Sequence, residues 1–266
     1  MNKFRIIAVA VVAFFSINLL HAQSEQDEIA QKLQNPLAKI IALPVQYNFG
    51  NGVPGYEGST FTASFQPIVA QDYGNFSIVH RGVFGASYLP QTTSGSSETY
   101  GMTDLNYSFF LAPKKKLGKV AWGVGPSIDM PTATDAMLGS GKWSAGAGVV
   151  AVYQNKRWTL DMVLRQTMSF AGDNDRADVN RFVGQTLVAY GLGKGWVVTT
   201  FPTITANWNA AKGQQWTVPV GGGISKLVFL GKLPTQFGVQ YYENVVRPDY
   251  VGKSELRFTT TFVFSK

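Results

Sequence analysis

The sequence predicts an all-β protein, a single antiparallel transmembrane β-barrel of twelve strands. Apolar and polar residues alternate over many segments of roughly 9–11 residues, the length that a tilted strand needs to cross a bilayer. The final stretch, residues 253–266 (KSELRFTTTFVFSK), alternates without interruption, with Phe258 and Phe262 on one face and Glu255 and Arg257 on the other. Abundant glycine (28 residues) and aromatic residues (13%), with few charged residues (15%), indicate many strands joined by glycine-containing turns.

Residues 1–22 have the three parts of a secretory signal peptide. Lys3 and Arg5 supply positive charge, residues 6–20 form an apolar run, and residues 20–22 (Leu-His-Ala) form a cleavage site. The apolar run is short for a membrane-spanning helix, so an uncleaved anchor is less favoured than a cleaved signal. Cleavage lowers the net charge from +7 to +5, because Lys3 and Arg5 are lost. No later apolar window is long enough for a spanning helix, so a mature chain in a membrane must span it as a closed barrel.

Residues 23–38 predict a short helical segment before the barrel. Ile29, Leu33 and Leu37 are spaced four residues apart and share one helical face, and Asn35-Pro36 ends the helix. Two interpretations stay open: the segment plugs the mouth of the barrel, or it is a periplasmic tether.

The barrel is predicted to occupy residues 39–266. Connections after the odd strands are long and polar, whereas those after the even strands are mostly short, apart from a longer loop predicted over residues 226–233. Short turns belong on the periplasmic side and long loops outside, and the even strand number puts both termini in the periplasm. Trp and Tyr residues near strand ends predict two aromatic girdles, which a soluble β-sandwich would not need. The predicted strands are Lys39–Phe49, Ser59–Val69, Asn75–Ser87, Gly101–Leu111, Lys119–Ile128, Trp143–Tyr153, Arg157–Met168, Val179–Tyr190, Trp196–Trp208, Gln215–Ser225, Pro234–Glu243 and Lys253–Lys266.

The sequence contains few of the residues from which a catalytic site could be built. The absence of cysteine excludes disulfides, thiolate metal sites and thiol nucleophiles. After cleavage the one histidine is His80, and the alternation turns it toward lipid because its neighbour Arg81 would cost about 2–4 kcal/mol there. No serine–histidine signature accompanies it, so the chain is predicted not to be an enzyme and to need no cofactor. A barrel enzyme acting on lipid is the least favoured alternative, and export excludes nucleic acid as a partner.

The predicted lumen carries charges of both signs. This pattern predicts ion pairs across the lumen, and twelve strands predict a bore narrower than that of the 16–18-stranded porins, so the pore should be narrow or plugged. The lumen-lining candidates are Arg81, Asp104, Asn106, Asp161, Arg165, Gln240, Glu255 and Arg257. Asp173, Asp175 and Asp178 form a weak candidate for a calcium site in a long loop, where ion pairing with Arg176 is the favoured interpretation.

Several motifs resemble a family of bacterial outer-membrane proteins labelled "transporter", "neuromedin U-like" or "MetA-pathway of phenol degradation". They lie at Leu33–Phe49, Trp122–Gly148, Ser169–Asn180 and Gln215–Pro219, and the resemblance covers nearly the whole mature chain. It implies a β-barrel in the outer membrane of a Gram-negative-type bacterium that passes small molecules, hydrophobic or aromatic ones among them. The motifs imply no catalytic roles.

We therefore predict a passive transporter or channel for small molecules. Its predicted partners are its solute, outer-membrane lipid and lipopolysaccharide, and the barrel-assembly machinery, which would read the C-terminal strand. The alternative from another class is a non-conducting structural or surface-interaction barrel whose long loops carry the function.

Overall fold

A computed structural model describes residues 25–264 of the chain, and the predicted signal peptide lies outside the described residues. The described part has a helix over residues 25–33 followed by strands only. No helix within these residues is long and apolar enough to cross a membrane. The strand segments are β1 Ile41–Asn51, β2 Thr60–Phe65, β3 Ile68–Tyr73, β4 Phe76–Leu89, β5 Thr99–Met102, β6 Leu105–Pro113, β7 Val120–Met130, β8 Lys142–Gln154, β9 Trp158–Gly172, β10 Asn180–Gly193, β11 Trp196–Thr200, β12 Thr203–Asn207, β13 Trp216–Leu230, β14 Leu233–Val246 and β15 Ser254–Phe264.

The segments form one closed antiparallel barrel. The first and last strands pair along their whole length, from Ile41 opposite Phe264 to Asn51 opposite Ser254. The segment pairs β2/β3, β5/β6 and β11/β12 are each one barrel strand with a two-residue interruption. Pro67 and Pro202 lie in two of these interruptions, where a residue without an N–H cannot continue the ladder. The fifteen segments thus make twelve barrel strands, which confirms the predicted fold class.

The predicted strand boundaries agree with the structure to within a few residues, with one clear exception. The longer loop predicted over residues 226–233 is wrong, because β13 and β14 continue to a tight turn at Gly231, which has a positive φ of 63°. The predicted strand ended just before Lys226, a charged residue, although β13 continues beyond it. Its ammonium lies 4.7 Å from the ring centroid of Trp196 and donates to the carbonyl of Lys194, so this charge sits at the turn end of the barrel surface.

Large apolar side chains are exposed on the outer face of the barrel. At the end with the short turns, Trp158 packs on Tyr190 with ring centroids 4.8 Å apart. At the end with the long loops, Trp208 packs edge-on against Trp216 at 5.3 Å. Aromatic side chains therefore lie at both ends of the outer surface, as the predicted girdles require.

The inner face is polar toward the long loops and apolar toward the short turns. Two buried apolar clusters line the lumen in the short-turn half. One contains Val79, Phe110, Val150, Val152 and Val163, together with Ala70. The other contains Leu187, Ala189, Val197 and Leu227, together with Ala30 of the helix. An apolar inner wall would face water in an empty lumen, so these clusters need a covering element.

Candidate functional site

The N-terminal segment supplies that cover. Ala30 is 2% exposed and packs against Leu187, Val197 and Leu227, and Ile29 and Leu33 join the same cluster. Leu37, further along the segment, packs on the cluster that contains Val79 and Phe110. All three residues of the predicted helical face thus contact the inner wall of the barrel.

Polar bonds hold the segment to the short turns and to the wall. The Asp27 carboxylate accepts a hydrogen bond from the backbone N–H of Gly195 at 2.7 Å. The side chain of Gln154 donates to the carbonyl of Gln31 at 2.7 Å and accepts from Asn35 at 3.3 Å. Bonds of this kind, reaching two different turns, fix the helix in the mouth of the barrel at its short-turn end.

A chamber of about 130 Å³ lies beside the N-terminal segment, inside the barrel. Leu33, Gln34 and Pro36 form its floor, and side chains from the barrel wall form its sides. Its two charged side chains are Arg81 and Asp161. The wall also contributes five glutamines, which are Gln46, Gln66, Gln185, Gln236 and Gln240.

Arg81 crosses the lumen above this chamber. Its Nη2 donates at 2.7 Å to the side-chain oxygens of both Gln66 and Gln185. Gln66 is on the neighbouring barrel strand, but Gln185 is on the eighth strand whereas Arg81 is on the third. Five strand spacings of about 4.8 Å separate these two strands along the wall, so the bond to Gln185 can run only through the lumen. The side chain therefore forms a bar across the lumen.

A second polar network lines the wall toward the long loops. Arg165 forms an ion pair with Asp129 at 3.2 Å, and Asn106 donates to the same carboxylate at 2.7 Å. Thr167 donates to its other oxygen at 2.8 Å. Asp129 was missing from the predicted lumen residues, although the alternation through Ser127 and Asp129 at the end of β7 would have identified it.

Three more of the predicted lumen residues, Gln240, Glu255 and Arg257, form a third group. Arg257 pairs with Glu255 at 2.8 Å and donates to the carbonyl of Phe201 at 2.9 Å. Its guanidinium lies 4.8 Å from the ring centroid of Tyr242, and Gln240 accepts from the hydroxyl of that tyrosine at 3.2 Å. Phe201 comes from the interruption between β11 and β12, so a break in the ladder brings its backbone within reach of Arg257.

Asp104 lies away from the lumen networks and organises an outer loop. Its carboxylate accepts from the backbone N–H groups of Ser140 and Ala133, at 2.7 and 3.1 Å, and from the Ser140 hydroxyl at 2.9 Å. The physical reason is its position between β5 and β6, where the strand is interrupted. Arg176, from the next loop, also binds the loop that contains Ser140: it donates to the carbonyl of Gly139 at 2.6 Å.

The three loop aspartates do not converge on one point. Asp173 accepts from the backbone N–H of Asp175, while Asp178 pairs with Lys142 at 3.3 Å. Arg176, which we expected to pair with these carboxylates, donates to backbone carbonyls instead. Over residues 25–264, no three His, Cys, Asp or Glu side chains lie close enough together to hold a metal ion.

His80 lies on the outer side of the barrel, as the alternation predicts. Its Nδ1 hydrogen-bonds the hydroxyl of Tyr107 at 2.7 Å, and the two rings stack with centroids 6.2 Å apart. Within the described part of the chain, no serine or carboxylate hydrogen-bonds this imidazole. Its contacts are those of an aromatic pair on the barrel surface.

The fold is similar to that of solved outer-membrane proteins. The structure aligns with that of the COG4313 outer membrane channel from Pseudomonas putida F1 with a TM-score of 0.62 and 13% sequence identity, covering 85% of this chain and 96% of that one. It aligns with the CymD monoaromatic hydrocarbon channel with a TM-score of 0.47 and 11% identity, covering 88% and 92%. Identities this low show a shared fold alone, and the second alignment is too weak to support an argument. No protein-family model matches the sequence, and no curated protein matches it. The family label suggested by the motifs therefore stays a prediction.

Proposed function

We propose that this protein is an outer-membrane channel through which small solutes pass passively. The observation that carries the proposal is the chamber: a cavity of about 130 Å³, lined by polar and apolar side chains, inside a closed barrel whose outer face is apolar and aromatic. Polar groups inside a barrel and apolar groups outside are the arrangement that a membrane pore needs, because lipid contacts one face and solute the other. The shared fold with an outer membrane channel supports the same reading.

The proposal includes a location and a topology. Residues 1–22 would direct export, and the short turns, the N-terminal helix and the end of β15 would face the periplasm. Lipid and lipopolysaccharide would contact the outer face, and the assembly machinery would bind the C-terminal strand. The segment over residues 23–38 would act as a plug rather than a tether, because its apolar face covers the apolar clusters of the lumen.

The size of the chamber limits the solute. An engineered protein cavity of about 150 Å³ holds one benzene molecule, so a chamber of about 130 Å³ accepts one molecule of similar size or slightly smaller. This limit agrees with the small molecules, aromatic ones among them, that the sequence motifs imply.

A second candidate function has a specific observation in its favour. The bar that Arg81 forms between the third and eighth barrel strands crosses the lumen, an obstruction that a non-conducting structural barrel would tolerate. A structural barrel has no conductance, whereas a channel conducts whenever the bar and the segment below it move.

Two charge changes test the channel in planar bilayers. Asp161→Asn leaves Arg81 without a neighbouring carboxylate and should favour anions, whereas Arg165→Gln leaves Asp129 unpaired and should favour cations. We expect the permeability ratio to shift in opposite directions, each on the order of severalfold, because charges in a narrow lumen are weakly screened.

The control variant is Lys115→Gln, which removes a charge from the turn between β6 and β7. It should leave the permeability ratio unchanged. Conductance no higher than that of the protein-free bilayer, in the parent chain and in all three variants, would contradict the channel and support the structural barrel.

A further inference from the structure

Unpaired polar atoms are concentrated in the chamber. Among the described residues, five buried side-chain nitrogen or oxygen atoms have no hydrogen-bond partner. Three of the five line this one cavity: Asp161 Oδ1, Thr199 Oγ1 and Gln236 Nε2. Folded proteins leave few buried polar atoms unpaired, since each costs free energy, so a cluster of them around a cavity indicates a missing hydrogen-bonding partner.

The three groups occupy corresponding positions in their strands. Each follows the first residue of its strand by three positions, with Asp161 in β9, Thr199 in β11 and Gln236 in β14. These are the seventh, ninth and eleventh barrel strands, so the groups approach the lumen axis from three directions. Thr199 is 6% exposed and Gln236 is 7% exposed, so bulk water does not satisfy them.

The chemistry of the three atoms defines their partner. The Asp161 oxygen needs a hydrogen-bond donor, the Gln236 amide needs an acceptor, and the Thr199 hydroxyl accepts either. A hydroxyl group is both donor and acceptor and satisfies all three kinds of site. One positive and one negative side chain, Arg81 and Asp161, line the chamber, so it offers no net charge to an ion. Leu187 and Phe201 add an apolar side to the same cavity.

We propose that the chamber is a binding site for one small, neutral, hydroxyl-bearing molecule with a compact apolar part. This inference deepens the proposed channel and rests on it for the route by which the solute arrives. A solute bound inside the lumen makes transport saturable, because each molecule must occupy the chamber before it leaves. The amide oxygen of Gln236 accepts from Gln34 at 3.3 Å, so the same side chain that would bind the solute also holds the N-terminal segment.

Three small molecules of equal size test separately whether the chamber selects for a neutral charge and for hydroxyl groups. Butane-1,2-diol, butyrate and benzene each have about six non-hydrogen atoms, within the capacity argued for the chamber. The diol is neutral with two hydroxyls, butyrate is an anion, and benzene has no hydrogen-bonding group. Dissociation constants are measured by saturation-transfer NMR on the full-length mature protein in detergent. We expect the diol to bind saturably and more tightly than either other probe.

Thr199→Val and Gln236→Leu test the site within the protein. Each removes one unpaired group at similar volume, and each should weaken diol binding about threefold to tenfold, the value of one hydrogen bond. Gln236→Leu also removes the acceptor of the Gln34 amide, so Thr199→Val is the cleaner of the two tests. In Thr199→Val, thermal stability of the solute-free protein should be retained or raised, because an unpaired buried group is replaced by an apolar one. Thr205→Val is the matched control, since Thr205 lies in β12, outside the chamber, and should leave binding unchanged.

The outcomes separate this site from the channel. Diol affinity equal to that of benzene, or unchanged in both variants, would overturn the site and leave a chamber filled by water only. Saturable diol binding in detergent without flux into liposomes would support the site and contradict the channel. Flux that rises linearly with concentration, without measurable binding, would support the channel and overturn the site.

Discussion

Deletion of residues 25–35 is expected to raise single-channel conductance, because in the proposed channel this segment would plug the periplasmic mouth of the lumen. The helix covers Leu187, Val197 and Leu227, and Gln34 and Pro36 form the floor of the chamber. The barrel should survive the deletion, since every strand keeps both neighbours and the ladder between β1 and β15 does not involve the segment. The deletion exposes apolar wall to water inside the lumen, so some stability should be lost.

The measurement is conductance in planar bilayers, with folding checked by the heat-dependent gel mobility of the barrel. The matched control is the double substitution Glu28→Gln and Lys32→Gln, which removes the exposed ion pair of the helix without touching its buried face. Unchanged conductance in the folded deletion would contradict the plug. In that case, adding Arg81→Ala would show whether the bar across the lumen is the remaining closure.

The alternation of side chains made most of this fold predictable. A strand places successive residues on opposite faces, so Trp158 and Leu160 could be assigned outward and Thr159 and Asp161 inward from the sequence alone. Closure followed from the lack of an apolar window long enough for a spanning helix, because only a closed barrel then satisfies every backbone group in lipid. The register between β1 and β15 agrees with that reasoning.

Contacts through the lumen could not be predicted in the same way. The bond from Arg81 to Gln185 joins residues 104 positions apart on non-adjacent strands, and it depends on the cross-section of the barrel rather than on any local pattern. Asp104 shows a second limit. Its carboxylate accepts from backbone N–H groups of a nearby loop, and the alternation along one strand carries no information about that contact.

The candidate site also depended on information outside the periodic pattern. Thr199 and Gln236 were not among the predicted lumen candidates, because the alternation shows which side chains point inward but not which of their polar atoms lack a partner. What distinguishes these two side chains is an unpaired polar atom beside the chamber, and only the packed structure shows it. Charged residues attract attention in a sequence, but here most of them already have partners in the lumen, as Arg165 and Arg257 do.

Leu164→Lys is expected to destabilise the folded barrel by about 2–4 kcal/mol in a bilayer, because Leu164 faces outward near the middle of β9. A lysine there would place a charge at the depth of the hydrocarbon midplane. Met168, four residues further along the same face, lies near the long-loop end, and Met168→Lys should cost only about 0–1 kcal/mol at the interface. The measurement is the free energy of unfolding by denaturant in lipid vesicles.

The two positions form a matched pair, since both lie on the outer face of one strand and receive the same charge. Leu164→Ala serves as the control for lost side-chain volume, and its cost should be subtracted before the two lysines are compared. A dependence of the cost on depth is a property of the bilayer, because water beside a soluble barrel would solvate a lysine equally well at both positions. Equal and small effects at Leu164 and Met168 would therefore contradict membrane insertion itself, and the proposed channel with it.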